Sequence, residues 1–116
     1  MISSPPANVV NAVERASPGF WRWWQSAIGR AYASAGSFQV TSWWRSPSYN
    51  ASVGGADDSQ HLVGVAFDVV PVTQRVYSAL VSAGFRVINE RDHLHAQPWP
   101  AGTARSSGLL RYLGWG

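Results

Sequence analysis

All three histidines of the chain fall in two short segments, which also contain Asp68, Glu90 and Asp92 out of six acidic residues. The first segment is Ser59-Gln60-His61-Leu62-Val63-Gly64-Val65-Ala66-Phe67-Asp68, and the second is Glu90-Arg91-Asp92-His93-Leu94-His95-Ala96. There is no cysteine, so disulfide scaffolds and thiolate metal sites are excluded and any metal must be held by imidazole or carboxylate. His61, Asp68 and one of His93 or His95 form a three-ligand set with a fourth position open to water, the pattern of catalytic rather than structural zinc. A plainer reading makes Asp68 a turn cap before Pro71 and the histidines loop or surface residues. The clustering of these few residues in two segments weighs against it.

These side chains must be positioned by strands. Gly64–Val70 reads as a strand in which Gly64, Ala66 and Asp68 share one face, clearing a cleft floor beside a carboxylate, while Val65, Phe67 and Val69 share the core face. His93–Gln97 reads as another strand, with His93 and His95 pointing one way and Leu94 and Ala96 into the core. Ser37–Trp44 and Phe85–Asn89 read as the remaining strands. Ser4-Pro5-Pro6 predicts the start of a short first helix, and Ser17-Pro18 the start of a second running to about Gly36, with Phe20, Trp24, Ala27, Ile28, Ala31 and Tyr32 on its dry face. Thr73–Ala83 reads as a helix stopped by Gly84, and Leu109–Leu113 as one turn of helix. Between Arg45 and Gly64 the sequence predicts a loop long enough to carry function.

The length of 116 residues gives one domain, 1–116, and 46% apolar against 13% charged residues marks a folded chain. All nine basic residues are arginine and they are dispersed, which argues against a nucleic-acid partner. No apolar run is long enough to span a bilayer, and Met1–Asn11 lacks the pattern of an export signal. The expectation is a chain made in the cytoplasm, monomeric and without stable membrane insertion. Trp21-Arg22-Trp23-Trp24 invites a membrane-surface reading, but packing on the sheet is the stronger expectation. Of Trp43 and Trp44, one must face away from the core and is available to line a substrate groove.

The ten-residue pattern Ser-x-His-x-x-Gly-x-Ala-x-Asp over Ser59–Asp68, followed by His93-x-His95, resembles the zinc peptidases of the D-Ala-D-Ala carboxypeptidase type, peptidase family M15, which act on bacterial cell-wall peptides and share a fold with the hedgehog signalling domain. Ser42-Trp43-Trp44-Arg45-Ser46-Pro47 is similar to the family's Ser-Gly-Tyr-Arg-Ser-Pro. Asn50 and Val53-Gly54-Gly55-Ala56 resemble the loop of its phage and cell-wall branch. The likeness runs from about Gln39 to Gln97.

The resemblance implies zinc as cofactor, His61 and Asp68 as ligands, Arg45 as the arginine that binds substrate or the developing oxyanion, and Ser59 as a residue that contacts substrate or orients the ligands. His95 as third ligand satisfies two family patterns, with Asp92 three residues before it and His93 as the first histidine of the pair, leaving Asp92 or His93 to move protons. His93 as ligand, with Glu90 as base, is the alternative. The implied protein is a small α+β domain, with an antiparallel sheet of about four strands, helices on one face and a zinc cleft on the other. Its implied activity is hydrolysis of an amide bond in peptidoglycan stem peptides, as a carboxypeptidase or endopeptidase, with a phage endolysin acting on the wall after release by lysis as one form of it. A non-catalytic zinc or cell-wall binding module of the same fold is the rival.

Overall fold

A computed structural model of the chain describes residues 2–115. Its sheet has four strands, β1 (Gln39–Ser42), β2 (Phe67–Val70), β3 (Arg86–Asn89) and β4 (Leu94–Gln97), in the order β1-β2-β4-β3. Every neighbouring pair is antiparallel. The helices are α1 (Ala7–Ala16), α2 (Phe20–Ala35), α3 (Pro47–Ser52), α4 (Gln74–Ala83), α5 (Thr103–Ser106) and α6 (Leu109–Tyr112), with a 3₁₀ turn over Gln60–Val63. This is an α+β architecture.

Alternation along the strands divides the sheet into two faces. The row Phe67, Ala96 and Val87 runs across β2, β4 and β3 on the core face, and the row Asp68, His95 and Ile88 on the other. Helix α2 covers the core face with Phe20, Trp24, Ala27, Ala31 and Ala35, buried at helical spacing, and packs against α4, which buries Val76, Ala79, Leu80 and Ala83. The Thr73 hydroxyl caps α4 by accepting from the Val76 N–H, and Gly84 ends it in the left-handed region at φ 112°. Helices α1, α5 and α6 gather around the 3₁₀ turn rather than on the sheet.

Trp24 joins these layers. Its ring stacks on Trp43 with centroids 5.2 Å apart and meets Phe67 edge-on at 5.8 Å, while its indole N–H donates to the Val65 carbonyl at 2.9 Å. Trp21 is half-buried and bonded to the Val10 carbonyl, and Trp23 lies at the margin against Phe85. Trp21 and Trp24 are thus spent on packing, while Arg22 and Trp23 stay exposed.

The strands are shorter than expected from the sequence, for identifiable reasons. β1 is interrupted by a bulge between Val40 and Ser42, so pairing stops before Trp43. β2 starts at Phe67, because Gly64 ends the 3₁₀ turn at φ 75° with its N–H on the His61 carbonyl. A side chain at Gly64 would meet the Pro5 ring at 2.7 Å, so Gly64 makes room for the N-terminal segment and not for a cleft. The expected cleft floor of Gly64 and Ala66 is therefore corrected. The expected loop between Arg45 and Gly64 contains α3, capped by the Ser46 hydroxyl, and the 3₁₀ turn. Ser4 does not cap α1; the Pro6 carbonyl accepts from Val9 and Val10 instead.

Phe67 is fully buried between Trp24 and Phe85 on the strand that carries Asp68. Truncation to alanine leaves a cavity under the sheet, and Phe67→Ala is expected to lose about 3–5 kcal/mol of stability in denaturant titration. A loss below about 1 kcal/mol would contradict this packing.

Candidate metal centre

The register of β2 and β4 does the first part of the assembly. Asp68 and His95 are cross-strand partners on the face opposite the core, so their side chains rise side by side. His61 arrives from the 3₁₀ turn, which is capped by the Ser59 hydroxyl accepting from the His61 N–H at 3.2 Å. The turn is laced to the segment after β1. Trp43 and Trp44 donate their indole N–H groups to the carbonyls of Gly64 and Leu62, and the Arg45 N–H donates to the His61 carbonyl at 3.0 Å.

The result is a buried cluster. Nε2 of His61 lies 3.2 Å from Oδ1 of Asp68 and 3.2 Å from Nδ1 of His95, and His95 Nδ1 lies 3.1 Å from the same oxygen. His61 is 1%, Asp68 3% and His95 9% exposed, so these polar groups have been taken out of water almost completely. Among the described residues, His61, Asp68 and His95 form the one group whose ligand atoms all lie within 4.8 Å of one another. Donors about 2.0–2.1 Å from a tetrahedral ion lie roughly 3.3 Å from each other, and the three distances match that spacing.

The outer nitrogens show which lone pairs point inward. Nδ1 of His61 faces the Trp43 carbonyl, which can only accept, so the proton sits there and Nε2 is left facing Asp68. Nε2 of His95 lies 2.7 Å from the side-chain carbonyl oxygen of Gln97, so Nδ1 is left facing the same point. Two lone pairs and a carboxylate oxygen converging at hydrogen-bond distance repel unless a cation lies between them. Either protons or a metal ion must supply it, and the donor set fits zinc.

The proton alternative governs the ionisation of the cluster. Burial raises the Asp68 carboxyl, but hydrogen bonds to His61 and His95 and the charges of those imidazoles outweigh it and hold the group well below the usual carboxylate range. Burial pushes His95 down, whereas its hydrogen bonds to Asp68 and Gln97 and the negative charges of Asp68 and Glu90 push it up further, and the net direction is up.

An open cleft of about 350 Å³ lies over the cluster, lined by Arg45, Ser59, His61, Asp68, His95 and also His93 and Glu90. Arg45 donates from Nη2 to Oδ2 of Asp68 at 3.1 Å and from Nη1 to the Asn50 side-chain oxygen at 3.4 Å. Asn50 is buried and donates to the Ala56 carbonyl; Gly55 must be glycine here, because a Cβ would come within 2.1 Å of the Asn50 oxygen.

His93 precedes β4 and stands in the β3–β4 turn, with Nε2 3.8 Å from Oδ2 of Asp68 and 29% side-chain exposure. It is therefore beside the three-residue group and not within it. The turn brings Arg91 to φ 77°, with the Glu90 N–H on the His93 carbonyl. Asp92, expected as a possible direct base, is absent from the cleft lining: its exposed carboxylate accepts from His93 Nδ1 at 2.6 Å. Neither Trp43 nor Trp44 lines the cleft, since both spend their N–H groups on the 3₁₀ turn. Sequence reasoning missed Gln97 and Gln60 altogether. Gln97 was legible, for it lies two residues after His95 on a strand and shares its face.

A family model described as Peptidase M15 matches residues 21–96. The chain belongs to the peptidase M15 family. Its members are metallopeptidases, generally zinc-dependent, that as a family act on peptidoglycan, and the matched span covers all three clustered residues. No curated protein and no solved structure matches the chain. Among the described residues no helix is long and apolar enough to cross a membrane.

Protons and metal compete for His95, and its proton is held more tightly than at the ordinary value of 6.5. Apparent zinc affinity should therefore rise with pH through 6.5 and level off only above it, with Asp68 ionised throughout. Competition with a chromophoric chelator measures this, and an affinity that is flat between about pH 5 and 8 would exclude histidine ligation.

Proposed function

We propose that the chain is a zinc-dependent peptidase hydrolysing an amide bond in the stem peptides of bacterial peptidoglycan, as a D-Ala-D-Ala carboxypeptidase or an endopeptidase. The observation that carries this reading is the convergence of His61 Nε2, Asp68 Oδ1 and His95 Nδ1 under an open cleft, with a histidine outside the set facing the other Asp68 oxygen. Those three atoms are the proposed ligands. A zinc ion held there would supply polarisation of the scissile carbonyl and activation of a water at neutral pH.

The chain's own residues do the rest. Asp92 fixes the proton of His93 on Nδ1, so Nε2 faces the cleft as a base that accepts a proton from the attacking water and returns it to the leaving amine. Arg45 holds the second oxygen of Asp68, leaving the first for the ligand role, and from the cleft wall its charge also favours a substrate carboxylate or a developing oxyanion. Ser59 orients His61 through its backbone N–H and lines the cleft beside the substrate. Glu90 also lines the cleft and contributes negative charge that supports His95. The molecule acts as a monomer on the cell wall, after release by lysis or as part of a virion.

Purified cell walls and defined muropeptides test the proposal. Mass spectrometry should find new peptide termini that a chelator abolishes and zinc restores. His61→Ala and Asp68→Ala should lose metal and activity together. His93→Ala should keep its metal and slow turnover by about 10²–10⁴-fold, with a smaller loss for the exposed Asp92→Asn. Wall binding with no released peptide would favour the non-catalytic module, and loss of metal on His93→Ala with retention on His95→Ala would reverse the ligand assignment.

A further inference from the structure

The side chain that fixes His95 is itself fixed by a device running back to the residue before His61. Gln97 is buried, and its amide has two possible orientations that differ in what it offers His95. With Oε1 towards the ring, it accepts the Nε2 proton. With the amide turned over, its NH₂ would donate to Nε2, and the imidazole proton would have to sit on Nδ1, against Asp68.

The choice is made by Trp99. Its backbone carbonyl accepts from Gln97 Nε2 at 2.8 Å, so the turned-over amide would set two oxygens against each other. That carbonyl is held in turn by Gln60, which is 2% exposed and donates from Nε2 to the Trp99 carbonyl at 2.8 Å and to the Pro100 carbonyl at 3.0 Å. Gln60 Oε1 accepts from the Trp99 N–H at 3.4 Å, which closes the loop and leaves Gln60 no freedom to turn over either. The glutamine beside His61 and the glutamine two residues after His95 thus meet on one peptide unit.

We infer that Gln97 is a positioning residue that selects Nδ1 as the inward-facing nitrogen of His95, and that Gln60, through the Trp99 backbone, keeps Gln97 in the orientation that does so. Gln97 and Trp99 lie beyond the matched span of 21–96 while Gln60 and His95 lie within it, so the clamp ties the matched part of the chain to the segment that follows it. Without Gln97 the Nε2–H would be buried with no acceptor, and the proton would move to Nδ1, where Asp68 accepts it. The lone pair aimed at the cluster would then be lost. The inference rests on the proposed zinc site, because selecting a nitrogen matters only if a ligand is to be presented there.

Zinc titration of the full chain labelled with ¹⁵N-histidine, followed by long-range ¹⁵N–¹H correlation spectra, reads both the tautomer and the affinity. Wild type should report the His95 proton on Nε2 and zinc on Nδ1. Gln97→Leu, which keeps the volume and removes the acceptor, should weaken zinc binding by about 10–100-fold and lose the single Nε2–H signature. Gln97→Glu keeps the acceptor facing Nε2 but loses the donor to the Trp99 carbonyl; it should keep the Nε2–H signature that Leu loses, an outcome that lost packing alone does not produce. A Leu variant with wild-type affinity, a Glu variant that lacks the Nε2–H signature, or zinc on Nε2 of His95 in wild type would each overturn the inference while leaving the zinc site standing. A wild-type chain that takes up no zinc would overturn both.

Discussion

The Asp68 carboxylate is the group on which the rest of the structure depends, because an ionised carboxylate withdrawn from water must be surrounded by compensating charge and donors. Here it meets His61 and His95 on one oxygen and Arg45 on the other, with His93 facing the second oxygen from the cleft side. Each partner comes from a different element: a 3₁₀ turn, the neighbouring strand, the segment after β1 and the β3–β4 turn. Holding one carboxylate therefore fixes the relative placement of four pieces of chain. The aromatic packing beneath it, Trp24 against Trp43 and Phe67, keeps the strand that carries Asp68 from yielding.

The same arrangement explains why the outer hydrogen bonds matter as much as the inner ones. An imidazole offers one lone pair when neutral, and which nitrogen offers it is decided by the partner on the far side of the ring. A backbone carbonyl serves His61 and a clamped amide serves His95. Buried networks of this kind are strong only when their members are satisfied; here the bonding extends to Trp99 and Pro100 beyond the last strand, and among the described residues Arg45 Nε is the buried side-chain atom left without a partner. The tail of the chain thus has a reason to fold back over the 3₁₀ turn, which it does through α5 and α6.

Much of this was legible in the residues, and the limits have physical causes. Period-two alternation correctly set Asp68 and His95 opposite the apolar Phe67, Val69, Leu94 and Ala96, and helical spacing found the dry face of α2 at Phe20, Trp24, Ala27 and Ala31, although Tyr32, expected there, is 49% exposed. The left-handed conformation at Gly64 was not readable from composition, so a turn was mistaken for the start of a strand. His93 was placed on β4 because it continues the alternation, yet Arg91 in the left-handed region turns the chain one residue later. That difference of one residue separates His93 from the ligand group and leaves it free to face the cleft. Asp92 was named for its spacing from His95, but spacing alone cannot say whether a carboxylate faces a cleft or supports a histidine. One of Trp43 and Trp44 was expected in the groove because two adjacent side chains on a strand oppose each other; past the bulge both instead reach the turn that carries His61.

The central claim is that one divalent ion is held by His61, Asp68 and His95, with His93 beside it and unligated. Crystals grown with zinc and measured across the zinc absorption edge test it most directly. The account predicts a single anomalous peak within bonding distance of His61 Nε2, Asp68 Oδ1 and His95 Nδ1, with His93 Nε2 turned to the open side. A peak bonded to His93 in place of His95, or no peak at this cluster, would contradict it.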